Sequence, residues 1–464
     1  MTFIKRHVNI EALLVLLVFC LCLTGALLLP LDECPDEAGR HFLSNWIVRT
    51  GTLPTGNEPE TMLMSWEDVN APVLSIRAGS EYDGWGFSYA LRPYLSSIVG
   101  AAFERIASCF TDSPRVLLAA SRMCSVLSVT LCCFFCLRLG RRLFARRSTA
   151  LLFAAIVCFL PQGMFLGMYQ NNDSLALCAV SMMLYYLIEG FDRKWPVTSC
   201  IGLAAAFSLG LLSYYSVYGW LLSGALFCVA AALTDRDIPD KGRLIYKRTG
   251  LILGVCVLLA GWFFIRNAYY HNGDFFGIAS EEISRAEMRS RGYRLHEYVN
   301  YRNEGMTIPD FLRMGDHWWL RLSAWSFVGV FGYMDILLPR TQYRLYGAVI
   351  AGGALLYVAS LLRQKPSRRD GLLALMMLLA SLLTVLMHFW QSYARDYQPQ
   401  GRYIITLAIP FAYMLTYGLD GLAAGGGPPE KAARSRTVPA VALTVLWLAL
   451  FAWAALGTMT KMLP

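Results

Sequence analysis

The sequence predicts an all-α protein that crosses a membrane about eleven times. Of its 464 residues 56% are hydrophobic, more than the roughly 45 to 50% of a soluble globular chain, and the mean hydropathy is +0.45. Apolar runs recur from residue 11 to residue 460 and leave no segment for an independent soluble core. We therefore expect one transmembrane domain over 1–464.

Each apolar run is about 17 to 24 residues long, which suits a hydrocarbon core about 30 Å thick. Lys5 and Arg6 precede the first run, which lacks a small-x-small cleavage site and is expected to be an uncleaved anchor. The predicted spans are 12–30, 115–138, 149–168, 173–190, 197–213, 217–233, 249–268, 343–362, 371–389, 402–420 and 438–458.

Lysine and arginine residues set the expected orientation. With the N-terminus inside, the inner segments contain 21 of them, whereas the short outer links 169–172, 214–216 and 390–401 contain only Arg395. This asymmetry predicts that the two long loops, 31–114 and 269–342, lie outside. We expect a bacterial cytoplasmic membrane protein with a cytoplasmic N-terminus.

Both long loops mix aromatic and charged residues at helical spacing, as is typical of interfacial helices and not of flexible linkers. The second loop is amphipathic and aromatic, with a charged helix expected over Ser280 to Tyr301 and a tryptophan-rich stretch from His317 to Trp325. The first loop contains the candidate catalytic acids.

Several function classes are excluded or disfavoured. The net charge of +9 comes from arginines beside the ends of apolar runs, so it reports topology and not a nucleic-acid partner. The 13 cysteines lie almost entirely in apolar runs, and no disulfide framework or zinc spacing follows. The chain has no Walker A, dinucleotide-binding, HExxH or GxSxG motif. No metal ligand set is predicted; a divalent cation is compatible with the site but not required.

Asp36, Glu37 and His41 follow the outer end of the first span. They have an interpretation without function, in which Pro35 starts a helix, the acids favour its positive end, and Asp36/Arg40 and Glu37/His41 form spaced pairs. The functional interpretation is that the membrane surface partly desolvates the carboxylate of Asp36, which raises its pKa towards the range of a general base.

Cations are expected in the same compartment. Arg266 lies at the outer end of the seventh span, and Arg395 and Arg402 flank the start of the tenth. Each serves either a lipid phosphate or simple snorkelling to the headgroups. Arg122 lies inside the second apolar run, so we expect it to face the protein interior and to need an anionic partner or a phosphate. Asn172 and Asp173 sit in a tight outer turn, for which turn formation and helix capping are the simpler explanation.

Together these residues resemble the GT-C superfamily of membrane glycosyltransferases, particularly bacterial relatives of protein O-mannosyltransferases. The resemblance covers most of the chain. It rests on five short segments in order: Pro35-Asp36-Glu37 with His41, Asn172-Asp173, Trp262 to Asn267 with Gly273-Asp274, Ser326 to Asp335, and Gln400 to Tyr403.

The resemblance implies a GT-C-like bundle and a polyprenyl-phosphate or polyprenyl-diphosphate sugar donor. It implies that Asp36 is the base in an inverting transfer at the outer face, with Glu37 and His41 shaping its site. Arg266 and Arg402 would bind the donor phosphate, with Arg395 and Arg122 as further candidates. The substrate site would be lined by Arg40, Asn172, Asp173, Asn267, Asp274 and Tyr403.

The expected partners are the lipid-linked donor, the bilayer and an acceptor that is a glycan, a lipid or a protein. The two long loops are expected to recognise the acceptor. Two other functions fit the same sequence. A transporter or flippase of lipid-linked glycans would need the cations but no base, although paired half-repeats with broken helices are not evident. A non-enzymatic assembly subunit would use the interfacial aromatic residues and acids as anchors.

Overall fold

The computed structural model describes residues 9–30, 33–56, 88–290, 297–422 and 429–462. Lys5, Arg6 and residues 57–87 of the first outer loop lie outside them. The helices up to the second long loop are α1 (Ile10–Leu28), α2 (Glu37–Thr50), α3 (Ser88–Leu91), α4 (Leu95–Ala107), α5 (Pro114–Ser121), α6 (Met123–Leu143), α7 (Arg147–Cys158), α8 (Pro161–Leu166), α9 (Asp173–Asp192), α10 (Val197–Leu211), α11 (Tyr218–Thr234), α12 (Lys241–Cys256) and α13 (Trp262–Tyr270).

The second half contains α14 (Ile278–Ser290), α15 (Ile308–Gly329), α16 (Arg340–Arg363), α17 (Arg368–Ala394), α18 (Ala408–Leu422) and α19 (Pro429–Gly457). A two-stranded antiparallel ribbon, β1 (Val330–Phe331) and β2 (Ile336–Leu337), follows α15. Short 3₁₀ segments at Tyr215–Val217 and Gly401–Leu407 lead into α11 and α18, and a π segment at Val257–Gly261 joins α12 to α13.

Within the described ranges, nine helices are long and apolar enough to cross a membrane. Two shorter apolar helices, α7 and α10, coincide with the predicted spans that begin at 149 and 197. Pro161 interrupts the third predicted span, because a proline supplies no N–H to continue the ladder, and α8 restarts there. All eleven predicted spans therefore correspond to apolar helices, and the all-α polytopic fold class is confirmed.

Small residues bring the spanning helices close together. A Cβ at Gly418 of α18 would meet the backbone of Leu356 and Tyr357 in α16, and one at Gly353 of α16 would meet Leu415. Close backbone approach at small residues is how helices pack in lipid, where no hydrophobic effect drives their association. These contacts fix α16 against α18, whose preceding 3₁₀ segment carries Arg402.

The second long loop contains helices, but the charged one is shorter than predicted. The structure describes helix α14 over Ile278–Ser290, and residues 297–300 are not helical, so the prediction of a helix that continues to Tyr301 was wrong at its C-terminal end. Helix α15 includes the tryptophan-rich stretch and is broken over Met314 to His317, where three residues have positive φ. The break divides α15 into two segments.

Candidate functional site

Asp36 has an unusual backbone at the start of α2. Its φ of 64° and ψ of 0° place it in the left-handed region, and its side chain does not cap the helix that follows. Aspartate tolerates this region better than most residues, but the conformation still costs free energy and is commonly found at functional sites. The geometry excludes the interpretation that Asp36 is present only as a helix cap.

The Asp36 carboxylate instead accepts two hydrogen bonds from distant parts of the chain. Arg402 Nη2 donates to Oδ2 at 2.5 Å, and the Tyr89 hydroxyl donates to Oδ1 at 2.9 Å. The Asp36 side chain is 29% exposed and that of Arg402 only 4%. The fold thus joins the first outer loop to the 3₁₀ segment before α18 through a partly open ion pair.

Arg402 is held from several sides. Its Nε donates to Gln400 Oε1 at 2.6 Å, and Nη2 also reaches the Tyr403 hydroxyl at 3.1 Å. The preceding Gly401 packs so tightly on α15 that a Cβ there would collide with the backbone N of Phe327. Only glycine permits this approach, which sets the position of the guanidinium.

A second carboxylate faces Arg402 from the other side. Asp173, the first residue of α9, is 3% exposed, and its Oδ2 lies 3.9 Å from Arg402 Nη1. The capping role that the sequence suggested for this turn belongs to Asn171, whose side chain accepts from Ser174 N at 2.8 Å. The side-chain oxygen of Asn172 instead accepts a hydrogen bond from the Ser96 hydroxyl at 2.5 Å. Asp173 is therefore free of local capping and faces the site.

Three buried polar atoms around this pair lack a hydrogen-bond partner among the described residues: Asp173 Oδ1, the Tyr169 hydroxyl and Arg40 Nε. Tyr169 lies close enough to Arg402, Asp173 and Asp36 to interact with their charges. Buried polar groups in folded proteins are normally satisfied. Unpaired groups clustered at one place indicate a site built to receive a polar ligand or water.

The pKa of Asp36 moves in the opposite direction from the sequence-based expectation. Burial raises it, but the charges of Arg402 and Arg40 and the hydrogen bonds from Arg402 and Tyr89 outweigh burial and lower it to about 2. The predicted rise was wrong because a cation 366 residues away in the chain is held against the carboxylate. Asp36 is ionised in this state and neutralised by its partner.

Glu37 and Arg122 form a separate, fully buried pair. Arg122 donates Nε to Glu37 Oε1 at 2.8 Å and Nη2 to Oε2 at 2.7 Å. The other guanidinium hydrogens go to the carbonyls of Ala26, Leu29 and Pro30 at 2.6 to 3.0 Å. All five N–H donors of an arginine are thereby used. The partner expected for Arg122 is Glu37, and no donor is left for a phosphate.

His41 points away from Asp36. Its Nδ1 lies 3.1 Å from the Ser121 hydroxyl and 4.0 Å from Glu104 Oε2. Burial, with the charges of Arg122 and Arg49, lowers the pKa of His41 to about 3, so the ring is neutral. Besides pairing with Arg122, Glu37 accepts a hydrogen bond from the backbone N–H of Gln170 at 2.8 Å. Glu37 and His41 thus support the helix that carries Asp36 without contacting its carboxylate.

Some of the remaining candidate residues lie beside Asp36, and others hold loop segments together. Arg40 lies over the Tyr89 ring at 5.1 Å, beside Asp36. Arg266 hydrogen-bonds the carbonyl of Pro54, and Asn267 donates to Leu91 O at 2.7 Å. Asp274 accepts from Ser280, and Arg395 is exposed at the end of α17. The structure brings Arg40 and Tyr403 together with Asp36, Asp173 and Arg402, whereas Arg266, Asn267 and Asp274 tie loop segments together.

Sequence reasoning missed an aromatic and basic wall. Tyr214 stacks on Tyr403 with ring centroids 5.6 Å apart and planes 4° apart. Arg92 pairs with Glu281 of α14 at 2.5 Å, and its charge also acts on Tyr214. Tyr89, Arg92 and Tyr214 belong to no recognisable motif, so only the fold reveals their role. The pair Arg92 and Glu281 attaches the second long loop to this wall.

The described residues contain no group of three or more His, Cys, Asp and Glu side chains arranged to hold a metal ion. The positive charge between Asp36 and Asp173 is the guanidinium of Arg402. Such an arrangement can hold a carboxylate ionised and can bind a phosphate oxygen with a fork of N–H donors.

Comparisons with known proteins agree with this architecture. A family model described as predicted membrane protein (DUF2142) matches residues 83–410. No curated protein matches the chain in sequence.

The chain is similar in structure to the oligosaccharyltransferase of Archaeoglobus fulgidus. For the complex with Zn and sulfate the TM-score is 0.54 at 11% identity, covering 94% of this chain and 52% of that one. For the apo form the TM-score is 0.52 at 12% identity, covering 96% of this chain and 56% of that one. For the form tethered with an acceptor peptide the TM-score is 0.51 at 11% identity, covering 95% of this chain and 55% of that one. The chain thus spans about half the length of these proteins, and the likeness confirms the GT-C fold.

Proposed function

The chain belongs to the DUF2142 family of predicted membrane proteins, and we propose that it is a membrane glycosyltransferase. It moves a sugar from a polyprenyl-phosphate or polyprenyl-diphosphate donor to an acceptor at the outer face of the membrane. The observation that carries this proposal is the pair of Asp36 and Arg402, with Asp36 in a left-handed conformation and Asp173 on the other side of the guanidinium.

The first step is binding of the donor phosphate by Arg402. A guanidinium offers parallel N–H donors that match phosphate oxygens, and here it is 4% exposed, where a charge contact is stronger than in water. The phosphate then competes with Asp36 for the same cation. Because Arg402 lowers the pKa of Asp36 against the effect of burial, its transfer to the phosphate raises that pKa towards the range of a useful base.

The second step is a single displacement. The acceptor hydroxyl gives its proton to Asp36, and its oxygen attacks the anomeric carbon. The bond from that carbon to the phosphate oxygen breaks, and Arg402 neutralises the charge that develops on the leaving phosphate. One displacement inverts the anomeric configuration. Asp173 and Arg40, each with an unpaired buried atom, are placed to contact the sugar or the acceptor.

The location of the reaction follows from helix ends and charge. Arg122 directly precedes α6 and Asp173 is the first residue of α9, whereas Arg142 and Glu189 form a 2.6 Å pair near the opposite ends of these two helices. The segments predicted to be inner contain 21 lysine and arginine residues, whereas the short outer links contain one. We therefore assign the Asp36 side to the outside of a bacterial cytoplasmic membrane. The acceptor is a glycan, lipid or protein.

The test is sugar transfer by the purified protein from polyprenyl-phosphate and polyprenyl-diphosphate sugars, with donor hydrolysis as a second readout. Asp36→Asn should lower turnover by roughly 10² to 10⁴ while donor binding is nearly retained. Asp112→Asn, in an exposed outer position, is the matched control. Arg402→Ala should weaken donor binding, and Arg395→Ala should not. Equal turnover of the two aspartate variants would refute the role of Asp36.

Wild-type protein that moves these lipids between leaflets without cleaving them would instead support a flippase.

A further inference from the structure

Tyr403 connects Arg402 to a chain of hydrogen bonds that leads away from the candidate site. Arg402 Nη2 donates to the Tyr403 hydroxyl at 3.1 Å, and that hydroxyl donates to Gln398 Oε1. Gln398 Nε2 in turn donates to Asp396 Oδ2 at 2.6 Å. Tyr403 is 7% exposed and Asp396 is 3% exposed. The hydrogen-bond chain therefore joins the guanidinium to a second buried carboxylate by a route that does not pass through Asp36.

Asp396 sets the direction of every bond in this hydrogen-bond chain. An ionised carboxylate offers only acceptors, so the amide of Gln398 turns its NH₂ group to Asp396 and its oxygen to Tyr403. The Tyr403 hydrogen is then committed to Gln398, and the hydroxyl oxygen is left to accept from Arg402. Buried hydrogen bonds that run head to tail polarise one another. This polarisation strengthens the contact between the phenol oxygen and the guanidinium.

Aromatic neighbours fix the ring of Tyr403. The Tyr214 ring is stacked on it with centroids 5.6 Å apart, and the centroid of the His388 ring lies 5.9 Å away. Arg402 also lies over the Tyr403 ring, with Cζ 5.0 Å from the centroid. A phenylalanine at position 403 keeps these ring contacts and removes only the hydroxyl. The hydroxyl can therefore be tested separately from the packing of the ring.

We propose that Tyr403 is a positioning residue, which holds Arg402 in place while its charge passes from Asp36 to the donor phosphate. This inference rests on the proposed function. After the phosphate has replaced Asp36, the guanidinium is still held by Tyr403 and by Gln400, whose Oε1 accepts from Nε at 2.6 Å. A phenol oxygen and an amide oxygen are neutral acceptors. They anchor the cation and leave its charge available to the phosphate, whereas a carboxylate in their place would neutralise it.

The test measures binding of polyprenyl phosphate and sugar transfer by the purified protein. Tyr403→Phe should weaken this binding and lower kcat/KM for the donor by about tenfold, because misplacement of a group by about 1 Å can cost 10²-fold. The KM for the acceptor should not change, since the hydroxyl acts through Arg402. Tyr413→Phe, which removes a buried hydroxyl in α18, is the matched control. Equal binding and transfer by the two tyrosine variants would overturn the proposal.

Asp396→Asn changes the direction of the hydrogen-bond chain with little change in shape. An asparagine can present its NH₂ group to Gln398, which lets the Gln398 amide turn its own NH₂ group to Tyr403. The Tyr403 hydrogen is then directed at Arg402 and no longer accepts from it. Binding of polyprenyl phosphate should weaken by about two- to tenfold, as expected for the loss of one hydrogen bond. Asp112→Asn, at an exposed position, should bind as the wild type does. This pair of variants decides the question if Tyr403→Phe does not fold.

The double variant distinguishes a connected hydrogen-bond chain from two separate packing defects. Once the Tyr403 hydroxyl is absent, the direction of the Gln398 amide no longer affects Arg402. Tyr403→Phe combined with Asp396→Asn should therefore bind polyprenyl phosphate as Tyr403→Phe alone does, whereas losses that multiply would contradict the proposal. Wild-type protein that binds polyprenyl phosphate without transferring sugar would refute the proposed function. The same comparison of binding would then still show whether Tyr403 positions Arg402.

Discussion

Removal of either partner of the buried pair between Glu37 and Arg122 should destabilise the protein far more than it changes donor binding. Both side chains are 0% exposed. Glu37→Leu leaves an uncompensated guanidinium, and Arg122→Met leaves a carboxylate that only Gln170 N still contacts. Breaking a buried pair typically costs about 3 to 5 kcal/mol, or roughly two to four orders of magnitude in the folded to unfolded ratio.

The measurement is a denaturant titration in mixed micelles of both single variants and the double variant. The double variant should lose less than the sum of the single losses, by roughly 1 to 3 kcal/mol, because neither charge is then left alone. Glu304→Gln, at an exposed position, is the control. Arg122→Met could instead keep the free energy of unfolding within about 0.5 kcal/mol of the wild-type value and weaken donor binding. That result would show that Arg122 is a phosphate ligand and not mainly the partner of Glu37.

Three further outcomes are expected. Arg402→Gln removes the charge that lowers the pKa of Asp36, so the acid limb of kcat/KM for residual transfer should move to higher pH; an unmoved limb contradicts the coupling. Burial raises the pKa of Glu104 from 4.5 to about 7, against a hydrogen bond and a charge that lower it. The folded state therefore binds this proton more tightly than the unfolded state. As the pH rises from 4.5 to 7, the free energy of unfolding of the wild type should fall by about 3 kcal/mol relative to that of Glu104→Gln. Parallel curves of unfolding free energy against pH would refute this. Gly401→Ala should cost about 1 to 3 kcal/mol and lower activity, whereas Gly352→Ala should be neutral or stabilising by up to about 1 kcal/mol; equal unfolding free energies would show that the close packing is unimportant.

The spans could be predicted because the bilayer imposes a local requirement. A segment must supply enough consecutive apolar residues to cross, whatever its neighbours are. The boundaries of α9, Asp173–Asp192, agree closely with the predicted 173–190. The third span was predicted as continuous but breaks at Pro161, since hydropathy does not register a missing N–H.

The site was only partly predictable because its geometry depends on long-range contacts. Asp36, Asp173 and Arg402 were recognised as candidates, and no sequence pattern stated that the guanidinium lies between the two acids. The direction of the Asp36 pKa shift depends on that contact, so the rise predicted from the sequence was wrong. Arg122 was correctly expected to need an anionic partner, but its choice of Glu37 over a phosphate followed from packing alone.

Helix α10 introduces a hydrophobic mismatch beside the site. Its 15 residues extend about 22 Å at 1.5 Å per residue, short of the hydrocarbon thickness of about 30 Å. Val197 and Ile201 are each 46% exposed, so one face of this short helix is open to the surroundings of the bundle, and local thinning of the bilayer is one way to accommodate a short span. Its far end leads to Tyr214, which stacks on Tyr403 beside Arg402. A bilayer that thins to match a short helix would bring its headgroup plane closer to the Tyr214, Tyr403 and Arg402 side of the protein.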